Sequence, residues 1–148
     1  MEALRDHGPV LDPISLEVLR TRLDAISDEA AVTIERTAIS PVVTESKDYS
    51  ATILDGEGNL VTGGGRIEYH FGAAMNAVRS TIARHGDTIR NGDVFLANDP
   101  HNGGGLHAQD VMVQRPVFVE GERVAWVVNS AHLMDMGGMV MGSWAPAA

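Results

Sequence analysis

VMVQRPVFVEGERVAWVVN, residues 111–129, is the stretch on which the fold turns. Val111 to Val119 and Arg123 to Asn129 are apolar runs on either side of Glu120-Gly121, which reads as a β-hairpin. Its apolar content predicts strands covered on at least one face. Working upstream, Asn91-Gly92 is a turn and Asp93 to Ala97 a short strand. A helix is predicted from about Gly72 to Arg84, with Phe71, Met75, Val78 and Ile82 as its apolar stripe and Gly86 as its stop. Before it, Tyr49, Ala51 and Ile53 alternate with Ser50 and Thr52, and Leu60 resumes after the Asp55 to Asn59 turn. That is a second hairpin, ended by Gly63-Gly64-Gly65. Asp12-Pro13 opens a first helix as cap and first residue. Leu19, Leu23, Ile26, Ala30 and Ile34 form its predicted face, and it ends between Thr37 and Ser40 because Pro41 disfavours helical geometry before it.

The order is helix, hairpin, helix, strand, hairpin. It predicts an α+β fold of mixed layers of helices and β-hairpins. Strict βαβ alternation is absent, which argues against a doubly wound nucleotide fold. Residues 1–11 read as a short arm and residues 12–148 as the domain. Gly137 to Ala148 show no finished element, so the domain is expected to be an incomplete part of a larger one.

Composition narrows the function classes. The 148 residues carry a net charge of -9, which argues against nucleic acid and against an anionic membrane surface. There is no cysteine, which removes disulfide scaffolds, zinc fingers and cysteine nucleophiles. No apolar run approaches the roughly 20 residues that span a bilayer. The charged start MEALRDHGPVLDP has no apolar core of a signal peptide, and the cytoplasm is the expected location.

The chemistry concentrates between Asn98 and Gly138. NDPHNGGGLHAQD, residues 98–110, follows a predicted strand with two acids, two histidines and three consecutive glycines. His107 and Asp110 are three apart, so one turn brings both to one ion. His132 and Asp135 repeat that H-x-x-D spacing after the later strand. Imidazole and carboxylate together suit Zn²⁺, Mn²⁺ or Fe²⁺. Each feature also has a plain alternative. Asp99-Pro100 reads equally as an Asx-turn, and His107 as a partner of a backbone carbonyl. Asp135 reads as a ligand or as the group that orients a ligating His132. Thr44 to Ser50 reads as a solvated turn, or as a segment that turns Asp48 inward. In the second case Glu45 is the general-base candidate and Lys47 a partner for an anionic intermediate. His70 reads as an active-site residue or, the reading preferred, as a hydrogen-bonder near a helix start, and His85 is expected to suit a helix end. Gly63-Gly64-Gly65-Arg66 lacks the Walker pattern, so phosphate binding there is the minor reading. Trp126 and Trp144 are expected in packing, and the methionines from Met134 to Met141 as an apolar wall or as flexible packing.

In combination and order, DPISLEVLR, SKDYSATILDGEGNLV, NGDVFLANDP, the glycine-rich HAQD segment, RPVFVEGE and NSAHLMDMGG resemble the N-terminal part of the hydantoinase B/oxoprolinase family. The resemblance covers nearly everything from Asp12. It implies a metal site of Asp48, His107, Asp110 and His132 holding Zn²⁺ or Mn²⁺, with Asp99 and Asp135 as groups that orient a ligand or face substrate. The family pattern runs close to N-D-P-Y-x-G-G-T-H-x-P-D. Here one extra residue precedes His107, Leu106 stands for Thr, Gln109 for Pro, and Leu133 for a second His.

The resemblance further implies ATP-dependent opening of a cyclic amide such as a hydantoin, 5-oxoproline or a related lactam. A separate A-type subunit would bind ATP and activate the ring, so no ATP site is expected in this chain. The B-type part would bind the activated intermediate and direct water to it. An acetone carboxylase-like subunit is the enzyme alternative, and a non-catalytic assembly or binding protein the alternative of another class. An oligomer is expected, because unpaired apolar stripes need partners.

Overall fold

Asp12 caps the first helix as its place before Pro13 predicts. In the computed structural model, which describes residues 11–142, its carboxylate accepts from the Ile14 and Ser15 amides at 3.0 and 3.1 Å. Such a cap satisfies amides that have no partner within the helix. Helix α1 runs Pro13–Thr37 and stops at Ala38, whose backbone is extended. Pro41 then opens a short helix, α2, over Pro41–Thr44. Of the arm at residues 1–11, all but Leu11 lies outside the described residues, as does Trp144.

The contact face of α1 differs from the expected one. Leu19 and Ile26 are exposed, whereas Ser27 and Ala31 are buried. The reason is close approach to the first hairpin, β1 (Tyr49–Asp55) and β2 (Leu60–Gly65). A Cβ on Gly64 would lie 2.6 Å from the Ser27 carbonyl oxygen. Only small side chains fit where the helix backbone lies this near the strand. Gly63 to Gly65 therefore continue β2, paired with Thr52, Ala51 and Ser50, and form no anion-binding loop. At the other end of the hairpin, the Asp55 carboxylate accepts from the Glu57 and Asn59 amides and closes the turn.

Helix α3 runs Tyr69–His85, about one turn longer at its start than predicted. Its buried face is His70, Ala74, Ala77, Val78 and Thr81. The expected stripe shares only Val78 with that face and otherwise lies along its edge, half-buried. Strands β3 (Phe95–Ala97), β4 (Asp110–Val119) and β5 (Glu122–His132) complete the sheet. Glu120 and Gly121 have φ of 51° and 89°, the left-handed pair that a two-residue hairpin turn uses.

The sheet order is β2-β1-β5-β4-β3, with every neighbouring pair antiparallel. The sheet is open and mixed with helices, an α+β arrangement. Alternation sends Leu54, Met112, Trp126 and Val128 to one face, where Ala74, Ala77 and Val78 of α3 cover them. Tyr49 and Ala51 point the other way, against Ala31 of α1 and Val43 of α2. Trp126 is fully buried in the first of these clusters, as expected. Met136, Met139 and Met141 are exposed and form no apolar wall.

Glu35 ties α1 to the hairpin. Lys47 Nζ lies 2.7 Å from Glu35 Oε1, and the Tyr49 hydroxyl donates to Glu35 Oε2. The Lys47 and Tyr49 hydrogen bonds hold the Glu35 carboxyl below its usual range. Burial, with the Glu35 carboxylate next, pushes Tyr49 up to about 12. A depressed carboxyl adds stability that is full above its unfolded value of 4.5 and is lost as pH falls through the folded value. Glu35→Gln is therefore expected to lower the urea midpoint at neutral pH, with the gap to the parent chain closing in acid below that value. Gly64→Ala is expected to lower the thermal midpoint, since α1 must lift from β2. Gly72, inside α3 with no atom near its Cβ position, supplies the contrast. Gly72→Ala should raise stability by about 0.5–1 kcal/mol through helix propensity.

Candidate metal centre

Asp110 is the first residue of β4 and pairs directly with His132, the last of β5. Its side chain is fully buried. Oδ2 accepts from the Leu106 amide at 2.9 Å, the His107 amide at 3.4 Å and the Tyr69 hydroxyl at 3.3 Å. Oδ1 is left facing two imidazoles, His132 Nδ1 at 2.9 Å and His107 Nε2 at 3.3 Å. The loop before β4 folds back to allow this, and the Asp110 amide donates to the His107 carbonyl at 3.0 Å. A side chain on Gly105 would run into the Asp110 carboxylate, so the loop closes only with glycine there. His107 thus reaches Asp110 across a loop that carries three consecutive glycines.

Asp48 arrives through the β1–β5 pairing. The His132 amide donates to the Asp48 carbonyl at 3.1 Å. Lys47, with φ of 60°, makes the corner just before the strand. Asp48 Oδ2 then lies 3.8 Å from His132 Nδ1, and Oδ1 lies 3.6 Å from His70 Nε2. Donor atoms of His107, Asp110 and His132 all fall within 4.8 Å of one another, and Asp48 stands beside that triad. The His107 and His132 rings are nearly perpendicular, with centroids 5.0 Å apart.

His70 stands beside this cluster and not at the helix cap, the preferred reading of the sequence. It makes no cap-region hydrogen bond. It lies inside α3 with no exposure, and neither ring nitrogen has a hydrogen-bond partner. Burial holds its pKa below the ordinary value, against the opposing pull of the Asp110 and Asp48 carboxylates. A signal did exist. His70, Ala74, Ala77 and Thr81 recur at steps of three and four, one position round from the stripe of larger residues.

The remaining candidates lie elsewhere. Asp99 is exposed and accepts from the His101 amide and the Asn102 side chain, the Asx-turn reading. Asp135 is exposed and accepts from the Gly137 amide, and the Nδ1 partner of His132 is Asp110 instead. Glu45 is exposed at the end of α2. The Lys47 ammonium is held by Glu35 and the Thr44 carbonyl, which takes it out of play as an anion partner. His85 is exposed at the end of α3, its ring 5.1 Å from that of Phe95.

Two features of the cluster fit a cation. Two imidazoles and two carboxylates are the donor types that borderline divalent ions take. Finally, the His107 side chain is 39% exposed while Asp110 is fully enclosed, so the cluster has one open side.

Residues 12–148 match the hydantoinase B/oxoprolinase family. The chain is 36% identical over 138 residues to caprolactamase subunit beta of Pseudomonas jessenii, covering 93% of this chain and 24% of that protein. It is 36% identical over 136 residues to 5-oxoprolinase of Dictyostelium discoideum, covering 92% of this chain and 11% of that one. The chain therefore spans a quarter or less of these relatives. The nucleotide-free structure of acetone carboxylase superposes with a TM-score of 0.81 at 28% identity, over 89% of this chain and 18% of that one. The crystal structure of ATP-dependent caprolactamase from Pseudomonas jessenii gives 0.77 at 34% identity, over 89% and 23%. By sequence and by fold, this chain belongs to the hydantoinase B/oxoprolinase family.

Proposed function

We propose that Asp48, His107, Asp110 and His132 hold one divalent cation, Zn²⁺ or Mn²⁺. The chain then serves as the metal-bearing portion of a B-type subunit in an ATP-dependent cyclic amide hydrolase. The observation that carries this is the convergence of four ligand-type side chains, from three separate stretches of sequence, at one end of the sheet. The ring opened is that of a hydantoin, 5-oxoproline or a related lactam, in keeping with the names of the relatives. ATP is handled by an A-type partner subunit, which delivers the activated ring.

A bound divalent ion supplies Lewis-acid chemistry, polarising a carbonyl or lowering the pKa of water. The chain's own residues set the stage for it. Asp110 is pinned by three donors on Oδ2, so Oδ1 keeps a fixed direction toward His107 and His132. His132 is fixed by its strand pairing with Asp110. His107 stands on the open side, where substrate enters. Glu45, Asp99 and Asp135 are exposed and are not among the three residues whose donor atoms converge. Among the described residues no helix is long and apolar enough to cross a membrane.

The acetone carboxylase reading keeps the same metal cluster and is favoured by the 0.81 superposition. Metal analysis after dialysis tests the shared claim. About one Zn²⁺ or Mn²⁺ per chain is expected, with occupancy lost in His107→Ala and in Asp110→Ala. Unchanged occupancy in both variants sinks the ligand set. Assays with an A-type partner and ATP then separate the reactions. Release of a ring-opened amino acid supports the hydrolase, and ATP-dependent fixation of bicarbonate onto acetone supports the carboxylase. A folded, metal-loaded complex inert in both points to an assembly role.

A further inference from the structure

His70 stands outside the ligand set proposed above. The first turn of α3 places it against Asp48 with no exposure to solvent. Its Nε2 and Asp48 Oδ1 face each other at 3.6 Å, and both are buried without a hydrogen-bond partner. The other Asp48 oxygen lies 3.8 Å from His132 Nδ1. The Asp48 carboxylate thus sits between two imidazoles, with one oxygen turned toward each. We propose that His70 is a positioning residue for Asp48, donating its Nε2–H to Oδ1 and so aiming Oδ2 at the cluster of His107, Asp110 and His132.

The chemistry of the pair supports this. A neutral imidazole carries one N–H, and an ionised carboxylate only accepts. The two orphaned atoms are therefore complementary. The gap exceeds an ordinary N–H···O length of about 2.9–3.0 Å by well under 1 Å, a distance that a small side-chain rotation closes. The adjacent residue shows the same device, since the Tyr69 hydroxyl donates to Asp110 Oδ2 at 3.3 Å. Consecutive side chains in the first turn of α3 would thus each hold one carboxylate of the centre. His70 as a further ligand is the competing reading, which the Co²⁺ spectrum of the variants separates from a positioning role.

This inference rests on Asp48 being a ligand, so the test has a metal-free and a metal-bound arm. In the metal-free chain, ¹⁵N NMR of labelled histidine should show His70 as the Nε2–H tautomer, with a signal that moves in Asp48→Ala. An Nδ1–H tautomer overturns the proposal. In the second arm, chelator competition should show His70→Ala weakening Zn²⁺ about 10–100-fold while stoichiometry is kept. His70→Gln, which offers an amide N–H, should recover most of that loss, and it also guards against misfolding of the alanine variant. The Co²⁺ spectrum should be the same in parent and variants. In an Asp48→Ala background, His70→Ala should add no further loss. An unchanged Kd in His70→Ala overturns the proposal. So does an equal loss in both variants with an altered Co²⁺ spectrum, the signature of a lost ligand. Failure of the parent chain to bind metal would remove the ligand reading alone, because the tautomer still reports on the His70–Asp48 pair.

Discussion

A carboxylate shut away from water keeps its charge only where donors surround it. Asp110 is fully buried, and five groups converge on its two oxygens. Much of this end of the molecule follows from that requirement. The loop from Asn98 must fold back so that the Leu106 and His107 amides reach Oδ2. Gly105 must lack a side chain, because the carboxylate occupies the space one would take. The first turn of α3 must come close enough for Tyr69 to donate. The β4–β5 register must set His132 directly opposite. Slipping that register by one residue would turn His132 to the other face of the sheet and strand the charge.

The sheet is what brings the second acid in. β1 lies between β2 and β5, so the residue just before β1 falls beside the residue that ends β5. The two long helices, α1 and α3, grip the sheet through small side chains rather than large ones. Ser27 and Ala31 face the hairpin from α1, and Ala74 and Ala77 face the sheet from α3. Close backbone approach does the work that bulky side chains do elsewhere. It leaves the larger residues of α1, such as Leu19 and Ile26, on the outside.

Local features were legible in the sequence. The Asp12 cap, the Asp55 to Asn59 turn and the Glu120-Gly121 turn depend only on neighbouring residues, and each is where the reading puts it. The side chains of the triad were legible too, as H-x-x-D and a strand-end histidine. What the sequence hid has physical causes. The β1–β5 pairing joins residues far apart in the chain, which no local pattern encodes. Helix faces built from serine and alanine carry little hydrophobic signal, so the predicted stripes of α1 and α3 were rotated. The buried position of His70 was hidden by the same shift. Spacing also misled where backbone geometry differs. His107 and Asp110 meet because a turn folds between them. His132 and Asp135 share that spacing, but His132 ends an extended strand and Asp135 lies in the turn beyond, occupied with its own amide.

The three segments that meet at this corner are joined by no short stretch of chain. Asp48 and Asp110 come together only when β1–β5 and β4–β5 have both zipped. A cation that needs all of these side chains therefore binds the closed chain and ignores partly folded ones. Its binding free energy is then added to the folding equilibrium, about 2.7 kcal/mol at a free concentration one hundred times Kd. With the proposed cation bound, the corner would act as a tertiary clasp, and the supply of free metal would set how tightly the sheet stays shut.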